Sequence, residues 1–241
     1  MESMTHSRRR AEPAPPAAPV RPDGSTGEIL DLLATLAVSG LPRSTECSVA
    51  LAAGPEGCLR TVAATSPLAR DLDAAQRYPA TGPALAAIRD GRDVQLALPG
   101  DRWPGMSRLA VDLGLQAIWA LPLTHSGSCY GAMTVYAASP EPWSDPRSGA
   151  TRLVAALAAL EVANAEKAAD LAHGNATLRE ALETRTVIGQ AQGILMARQK
   201  IGAEDAFDIL RRASQRTNRK LRDIAAEMVA GVGPAPAQAR S

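Results

Sequence analysis

Helical periodicity is the only regular pattern in the last part of the chain, from Leu178 to Val229. Apolar residues recur there every three or four positions in separate runs, as on one face of an amphipathic helix. Glycines are predicted to end the first run, at Gly202, and the third, at Gly231. Such helices can bury their apolar faces against one another, so the pattern predicts an all-α three-helix bundle. The apolar positions are Leu178, Leu182, Ile188, Ala191, Ile194, Leu195, Ala206, Phe207, Leu210, Ala213, Leu221, Ile224, Ala225, Met228 and Val229.

The chain before this bundle mixes helical and strand-like stretches. Helix, hairpin, helices, paired strands and a closing helix predict an α+β domain whose antiparallel sheet is flanked by helices. A break at 173–175, which contains a glycine, separates the closing helix from the bundle. The predicted helices begin near Ser25 and cover 83–90, 106–113 and 148–171. The predicted strands cover 47–52, 58–63, 94–98, 117–123 and 131–137, with a turn at 54–57.

Composition excludes several classes of protein. A hydrophobic fraction of 46% is typical of globular chains and argues against wholesale disorder. No apolar run reaches the roughly 18–20 residues that a membrane helix needs, and no apolar signal core follows the N-terminal arginines. We therefore expect a cytoplasmic protein with no membrane partner. The chain has three cysteines and three histidines without metal-site spacing, so we expect no metal site.

Charge is distributed unevenly along the chain. Residues 25–177 hold 11 basic and 15 acidic residues, whereas residues 178–230 hold 10 basic and 7 acidic residues. The predicted bundle is thus the basic part of a mildly acidic protein. Positive charge of this kind attracts polyanions, although a solvated helical face explains it equally well.

One block within the bundle is distinctive: residues 185–196 read Arg-Thr-Val-Ile-Gly-Gln-Ala-Gln-Gly-Ile-Leu-Met. Further residues follow at fixed offsets, namely Ala206, Phe207, Leu210, Arg211, Ser214, Asn218, Lys220, Leu221 and Ala225. Together they resemble the ANTAR domain, an RNA-binding module of bacterial antiterminators. This chain departs from the family at Gln192, where a basic residue is common.

The preceding domain resembles a GAF domain of the kind fused to ANTAR in actinobacteria. The resemblance implies a sensor scaffold with a ligand pocket between the sheet and its flanking loops. Where the family often has Gly-Pro-Cys, this chain has Ala84, so sensing through that cysteine does not carry over. The matching residues are Gln76, Gly82, Pro83, Val94, Asp101, Arg102, Trp103, Pro104, Gly114, Leu121, Pro122, Leu123, Gly131, Ala132, Val135 and Tyr136.

RNA recognition requires cations for phosphates and polar side chains for unstacked loop bases. With the ANTAR resemblance, we expect the cations between the second and third helices to bind phosphates. Gly189 and Gly193 share one helix face, which suits close approach of RNA or a second helix, or tight packing within the bundle. Phe207 is predicted to lie in the core. The predicted RNA-binding residues are Arg185, Gln190, Gln192, Arg211, Ser214, Asn218, Arg219 and Lys220.

A ligand pocket is predicted in the GAF-like domain, with Arg102, Trp119, His125 and Tyr136 as lining residues. Burial in the core is the alternative interpretation of Trp119. The sequence names neither a ligand nor a cofactor. Along the closing helix and the first helix of the bundle, several leucines would suit a homodimer seam. These are Leu157, Leu160, Leu171, Leu178 and Leu182.

These features predict a non-enzymatic RNA-binding regulator with a GAF sensor. The ANTAR resemblance implies that it binds paired hexanucleotide-loop stem-loops in transcripts and acts by antitermination or on translation initiation. An unknown small molecule or protein provides the input. The alternatives are a thiol-dependent GAF enzyme, such as a free methionine sulfoxide reductase, and a DNA-binding regulator. The expected domains are a disordered tail at 1–24, a GAF-like domain at 25–167, an ANTAR-like domain at 168–232 and a flexible tail at 233–241.

Overall fold

The computed structural model describes residues 24–41, 45–53, 58–77, 80–140, 143 and 148–231. The tails predicted at 1–24 and 233–241 and the turn predicted at 54–57 fall outside these residues, except for Gly24. The chain forms two compact units, residues 1–168 and 169–241.

The first unit is built on a five-stranded sheet in the order β2-β1-β5-β4-β3, in which all neighbouring strands are antiparallel. Helices cover both faces, and the predicted α+β class is confirmed. The strands are β1 Thr45–Ala53, β2 Cys58–Ala64, β3 Val94–Ala97, β4 Ala117–His125 and β5 Ser128–Ala137. The helices are α1 Gly24–Ser39, α2 Pro67–Ala75, α3 Pro83–Asp90, α4 Pro104–Asp112 and the first part of α5 Ser148–Gln199.

Each face of the sheet has its own core. Residues of α1 and α5, such as Leu30 and Val162, pack with Trp119 and Val135 on one face. Residues of α2, α3 and α4 pack with Ile118 and Tyr136 on the other. Position 131 of β5 requires glycine, because a Cβ there would come within 2.1 Å of the Ala50 carbonyl oxygen of β1.

Helix α2 was not predicted from the sequence, although its start carries a recognisable signal. Ser66 is its N-cap, and its hydroxyl oxygen accepts a hydrogen bond from the Ala69 amide at 3.3 Å. Pro67 follows at the first helical position, where a missing N–H costs nothing. The helix buries Ala69, Leu72 and Asp73.

The break predicted at 173–175 is wrong, because α5 runs without interruption over 52 residues, from Ser148 to Gln199. A single glycine in a helix costs about 1 kcal/mol relative to alanine. His173 and Asn175 flank Gly174, but alanines and leucines lie on both sides of these three residues. Helix α5 contains no proline that would remove a backbone hydrogen bond. This short unfavourable stretch is therefore too weak to end the helix.

The second unit consists of the end of α5 together with α6 Ala203–Thr217 and α7 Leu221–Ala230. The predicted three-helix bundle is confirmed, and its buried centre is Ala191, Leu195, Ala206, Leu210 and Ala225. The role predicted for Gly202 is wrong. Helix α5 has already ended when Lys200 adopts a left-handed backbone with φ 53°, and Gly202 is the N-cap of α6.

Candidate functional site

An open groove of about 590 Å³ lies on the surface of the helical unit. One face of α5 forms most of it, because residues spaced by three or four positions along a helix lie side by side. Phe207 of α6 also lines the groove. The lining residues are Thr177, Glu180, Ala181, Thr184, Arg185, Ile188, Gln192 and Phe207.

Phe207 is not the core residue that its place on the apolar stripe predicted. Its side chain is 40% exposed, whereas its neighbours Ala206 and Leu210 are fully buried. Phe207 belongs neither to the buried centre of the bundle nor to the partly buried residues packed against it. The ring therefore presents an aromatic surface to the groove.

Two of the predicted RNA-binding residues on α5, Arg185 and Gln192, line this groove. The Gln192 side-chain amide donates a hydrogen bond to the Ala203 carbonyl oxygen at 3.2 Å, which ties α5 to the start of α6. Gln190 is exposed but lies about 140° around the helix from Arg185. The structure therefore does not bring Gln190 together with the other two.

The turn between α6 and α7 holds the remaining predicted contacts. Asn218 closes α6 in a left-handed conformation with φ 51°, which asparagine tolerates better than most residues. The Ser214 hydroxyl donates to the Arg219 carbonyl oxygen at 2.6 Å, and the Arg219 amide donates to the Ser214 carbonyl oxygen at 3.3 Å. Lys220 is the N-cap of α7. These bonds fix where the neighbouring cations are presented.

Several arginines of this region already have acidic partners. Arg211 contacts Asp208 at 3.0 Å, and Arg219 donates to Glu227 at 3.0 Å. The hydrogen bond from Arg219 lowers the pKa of the Glu227 carboxyl, and Glu227 in turn raises the pKa of Arg219. Arg222 of α7 pairs with Glu180 of α5.

Other cations keep their full charge available. Within the described part of the chain, Arg185, Arg212, Arg216 and Lys220 form no ion pair, and all four side chains are exposed. Exposed ion pairs contribute little, so a phosphate can replace the acidic partner of Arg211 or Arg219 at small cost. The surface can therefore supply several phosphate contacts.

Gly189 and Gly193 are exposed, and a Cβ built on either would meet no described atom within 4 Å. The interpretation that they allow tight packing within the bundle is therefore wrong for this unit.

The four residues predicted to line a ligand pocket in the first unit do not converge. Residues that pair across neighbouring strands point to the same face of the sheet. Trp119 pairs with Val135 and Ile118 pairs with Tyr136, so Trp119 and Tyr136 lie on opposite faces. Trp119 is fully buried on the α1 and α5 face. Its indole N–H donates to Asp93 at 3.3 Å, and Arg152 of α5 lies over its ring.

Tyr136 is fully buried in a polar network beneath α2, rather than facing a cavity. Its hydroxyl donates to Oδ1 of Asp73 at 2.7 Å, and Ser48 donates to the same oxygen at 2.9 Å. Thr61 donates to Oδ2 at 3.1 Å. Burial raises the pKa of Asp73, although these hydrogen bonds and Arg77 act in the opposite direction. The network fastens α2 to the sheet.

Gln76 and Gly82, two residues of the GAF resemblance, extend this network. The Gln76 amide donates to the Tyr136 hydroxyl at 3.3 Å, and its carbonyl oxygen accepts from the Ala84 amide at 2.9 Å at the start of α3. A Cβ on Gly82 would come within 2.3 Å of that oxygen. Glycine is therefore required where α3 begins.

His125 and Arg102, the other two predicted pocket residues, lie in different parts of the unit. His125 pairs with Ser128 at the tip of the β4–β5 hairpin, about 23 Å along the strand from Ile118. Arg102 is exposed, and its guanidinium lies 4.4 Å from the centre of the Trp103 ring. Arg102 and Trp103 line a cleft of about 490 Å³ together with Thr81 and Met106. Of the four predicted pocket residues, only Arg102 borders a cleft within the described part of the chain.

The cysteines do not form a joint reactive site. Burial raises the pKa of Cys47 and of Cys129, which keeps both thiols protonated and poorly nucleophilic. Cys58 is exposed, but it pairs with Ala53, about 20 Å along β1 from Cys47. Nothing in this arrangement favours the thiol-dependent enzyme.

Within the described ranges, no group of three or more His, Cys, Asp or Glu residues is placed to hold a metal ion. Nor does any helix in those ranges have the length and apolar character needed to cross a membrane.

Solved structures similar to this chain include several GAF domains. The GAF domain/HD domain protein from Geobacter sulfurreducens is 18% identical, with a TM-score of 0.46 over 58% of this chain and 94% of that one. The GAF-B domain of DevS from Mycobacterium smegmatis is 18% identical, with a TM-score of 0.44 over 61% and 98%. A type II free methionine-R-sulfoxide reductase from Thermoplasma acidophilum is 12% identical, with a TM-score of 0.43 over 57% and 92%. No curated protein matches the chain significantly.

Two family models match the chain, the ANTAR domain at residues 176–229 and the GAF domain at residues 26–162. A sensor domain followed by a regulator domain makes this a regulatory protein. Since the GAF match covers more than half of the sequence, the chain belongs to the GAF domain family.

Proposed function

We propose that the chain is an RNA-binding regulator whose segment 168–232 binds stem-loops in transcripts, while residues 25–167 form the sensor domain. The targets are pairs of hexanucleotide-loop stem-loops in nascent RNA. Holding them prevents a terminator from forming, or alters translation initiation. A small molecule or a protein acts on the GAF domain and shifts the equilibrium between RNA-binding and inactive states. The protein acts inside the cytoplasm and makes or breaks no covalent bond.

The observation that carries this proposal is the array of exposed cations around the fixed α6–α7 turn. Arg212, Arg216 and Lys220 have no ion-pair partner among the described residues. Arginine forks suit bidentate contacts with phosphate oxygens. Asn218 is exposed in the same turn and can contact a base edge.

Some of the other predicted residues contact RNA in this proposal, and others hold the protein in position. Arg185 adds a cation on α5. Arg211 and Arg219 each leave their acidic partner, Asp208 or Glu227, and bind a phosphate instead. The Ser214 hydroxyl is already bonded to the Arg219 carbonyl oxygen, so it positions the turn rather than contacting a base. Gln192 holds α6 in place through its bond to Ala203 and keeps its amide oxygen for the groove.

Binding by the full chain to a labelled pair of RNA hairpins tests the proposal. The competitors are an unstructured RNA of the same length and a duplex DNA. We expect the hairpin pair to bind most tightly, with an affinity that falls as salt rises because phosphate contacts release counterions. Equal affinity for unstructured RNA would refute specific hairpin binding. Preference for the duplex would instead support the DNA-binding alternative.

Substitution of Lys220 by alanine is the first variant to measure. We expect weaker hairpin binding and a salt dependence whose slope falls by about 1, as for the loss of one phosphate contact. Lys200→Ala is the matched control, since Lys200 is also exposed but lies beyond the other end of α6. Glu227→Gln should strengthen binding because it frees Arg219. Identical affinities for the two lysine variants at moderate salt would contradict the assignment of Lys220.

A further inference from the structure

We propose that the groove beside Phe207 is a subsite for one unpaired base of the bound RNA loop, with the Phe207 ring as the surface on which that base stacks. This inference rests on the proposed function and adds to it a specific ligand group and a specific residue.

The first argument is the exposure of an aromatic ring that the bundle does not use. Phe207 is the single phenylalanine of the chain. The core closes around Ala206, Leu210 and Ala225 without it, and 40% of its side chain remains accessible. Aromatic side chains are the usual stacking partners of splayed RNA bases, because every base has a π-face.

The second argument is the composition of the groove. Its lining combines the apolar Ile188 and Ala181 with polar groups from Thr184, Gln192 and Arg185. A base that enters edge-on from the strand needs this combination of a flat apolar surface and hydrogen-bonding groups. A purely apolar ligand would leave the polar groups unused.

The third argument is charge. Glu180 is the acidic residue among the groove lining, and its ion pair with Arg222 offsets its repulsion of a phosphate. Arg185, on the same lining, has no ion-pair partner within the described residues. The groove therefore presents a net positive edge, which favours a nucleic acid over an acidic peptide.

The fourth argument is continuity with the basic turn. Residues 207, 211, 214 and 218 are spaced by four, three and four positions, so they follow one face of α6. The groove residues of α5 extend from Thr177 to Gln192, which corresponds to about 22 Å of helix. A loop whose phosphates contact Arg211 and the turn can thus place a base against Phe207.

The test uses the full chain and one RNA hairpin, with each loop base in turn replaced by an abasic residue. We expect a single position at which the wild-type protein loses about tenfold in affinity, as for the loss of one stacked base. Phe207→Leu should lose about tenfold on the intact hairpin and should show no further loss at that position. Phe207→Trp should retain binding. Met196→Leu is the control, because Met196 is a similarly exposed apolar residue outside the groove lining.

Two further measurements separate stacking from a structural role. The slope of affinity against salt should be the same for Phe207→Leu and wild type, because stacking releases no phosphate counterions. The fluorescence of 2-aminopurine at the sensitive loop position should be quenched by wild type and not by Phe207→Leu.

The inference is overturned if no loop position is sensitive in the wild-type scan, which does not depend on the folding of any variant. It is also overturned if Phe207→Leu binds within twofold of wild type, or if its loss adds to that of the abasic position. A change in oligomeric state rather than in hairpin affinity would assign the groove to a second copy of the chain. If the wild type shows no preference for hairpins at all, the proposed function fails instead.

Discussion

Asp73 is the residue at which burial and hydrogen bonding oppose each other most directly. It is fully buried and accepts hydrogen bonds from Ser48, Thr61 and Tyr136. Those donors and nearby Arg77 favour the ionised carboxylate, whereas removal from water favours the protonated form. Burial is the larger effect, so the pKa of Asp73 in the folded protein lies above its usual value.

This shift predicts how stability depends on pH. Below about pH 3.9, the usual pKa of aspartate, the folded and unfolded states both carry the proton. As pH rises from there toward the folded-state pKa, only the unfolded state loses it, so the free energy of unfolding falls by up to about 1.4 kcal/mol per pH unit. Above the folded-state pKa this contribution stays constant.

Asp73→Asn removes that ionisation and should remove the corresponding decline. We expect the difference in unfolding free energy, variant minus wild type, to rise with pH above about 4, as measured by urea denaturation at several pH values. Asp71→Asn on the exposed side of α2 is the control. A difference that falls with pH would show that the three hydroxyl donors outweigh burial.

One extra residue decides whether Trp119 and Tyr136 share a face. The pairing of β4 with β5 shifts between Leu123 and Thr124, so that Leu123 pairs with Gly131 and Thr124 with Cys129. Without this bulge, Trp119 would pair with Thr134 and lie on the face of Tyr136. Apolar alternation in the sequence predicts both strands but does not reveal the bulge, so it does not show that Trp119 and Tyr136 lie on opposite faces.

At the scale of the elements, glycine and proline predicted where several helices begin and end, but the sequence did not predict that α5 is continuous. Gly91 and Gly114 both adopt positive φ, and the sequence placed the ends of α3 and α4 beside them. Pro83 likewise marked the start of α3. The uninterrupted α5 was not predicted, because helix formation is cooperative and the favourable residues on both sides of Gly174 outweigh its local cost. Phe207 was predicted to lie in the core because it belongs to the apolar stripe of α6. The stripe alone does not show which of its residues the other two helices cover.

The glycines of α5 provide a prediction for this element. Gly174→Ala and Gly189→Ala should each raise the unfolding free energy of the helical unit by about 1 kcal/mol, because alanine favours the helix and no described atom obstructs the added methyl group. Urea denaturation followed by circular dichroism measures the change. The Gly174 variant serves as the reference, and a Gly189 variant that loses stability or hairpin affinity would place a second chain or RNA against that face.

At the scale of the whole molecule, the leucines predicted to suit a homodimer seam are all exposed on α5. Leu157, Leu171 and Leu178 are 44%, 69% and 65% exposed. They recur at multiples of seven positions, as in a coiled-coil seam, with Leu160 and Leu182 beside them. The proposed RNA target has two stem-loops, so a protein with two RNA-binding units would hold both at once. The second loop then binds at a high effective concentration, which raises affinity without any new contact.

A homodimer would make the affinity depend on the number of loops in the RNA. We expect the wild-type chain to sediment as a dimer and to bind a hairpin pair about 100-fold more tightly than a single hairpin, as for bivalent binding. Leu171→Glu should shift the chain toward monomer, because charges are unfavourable at a seam position, and should remove most of the advantage of the paired target while leaving single-hairpin affinity unchanged. Ala169→Glu, an exposed position about 160° away from Leu171 around the same helix, controls for the added negative charge. A monomeric wild type, or a Leu171→Glu variant that keeps the full advantage, would show that one chain suffices for both loops, and the seam would then have to serve another contact.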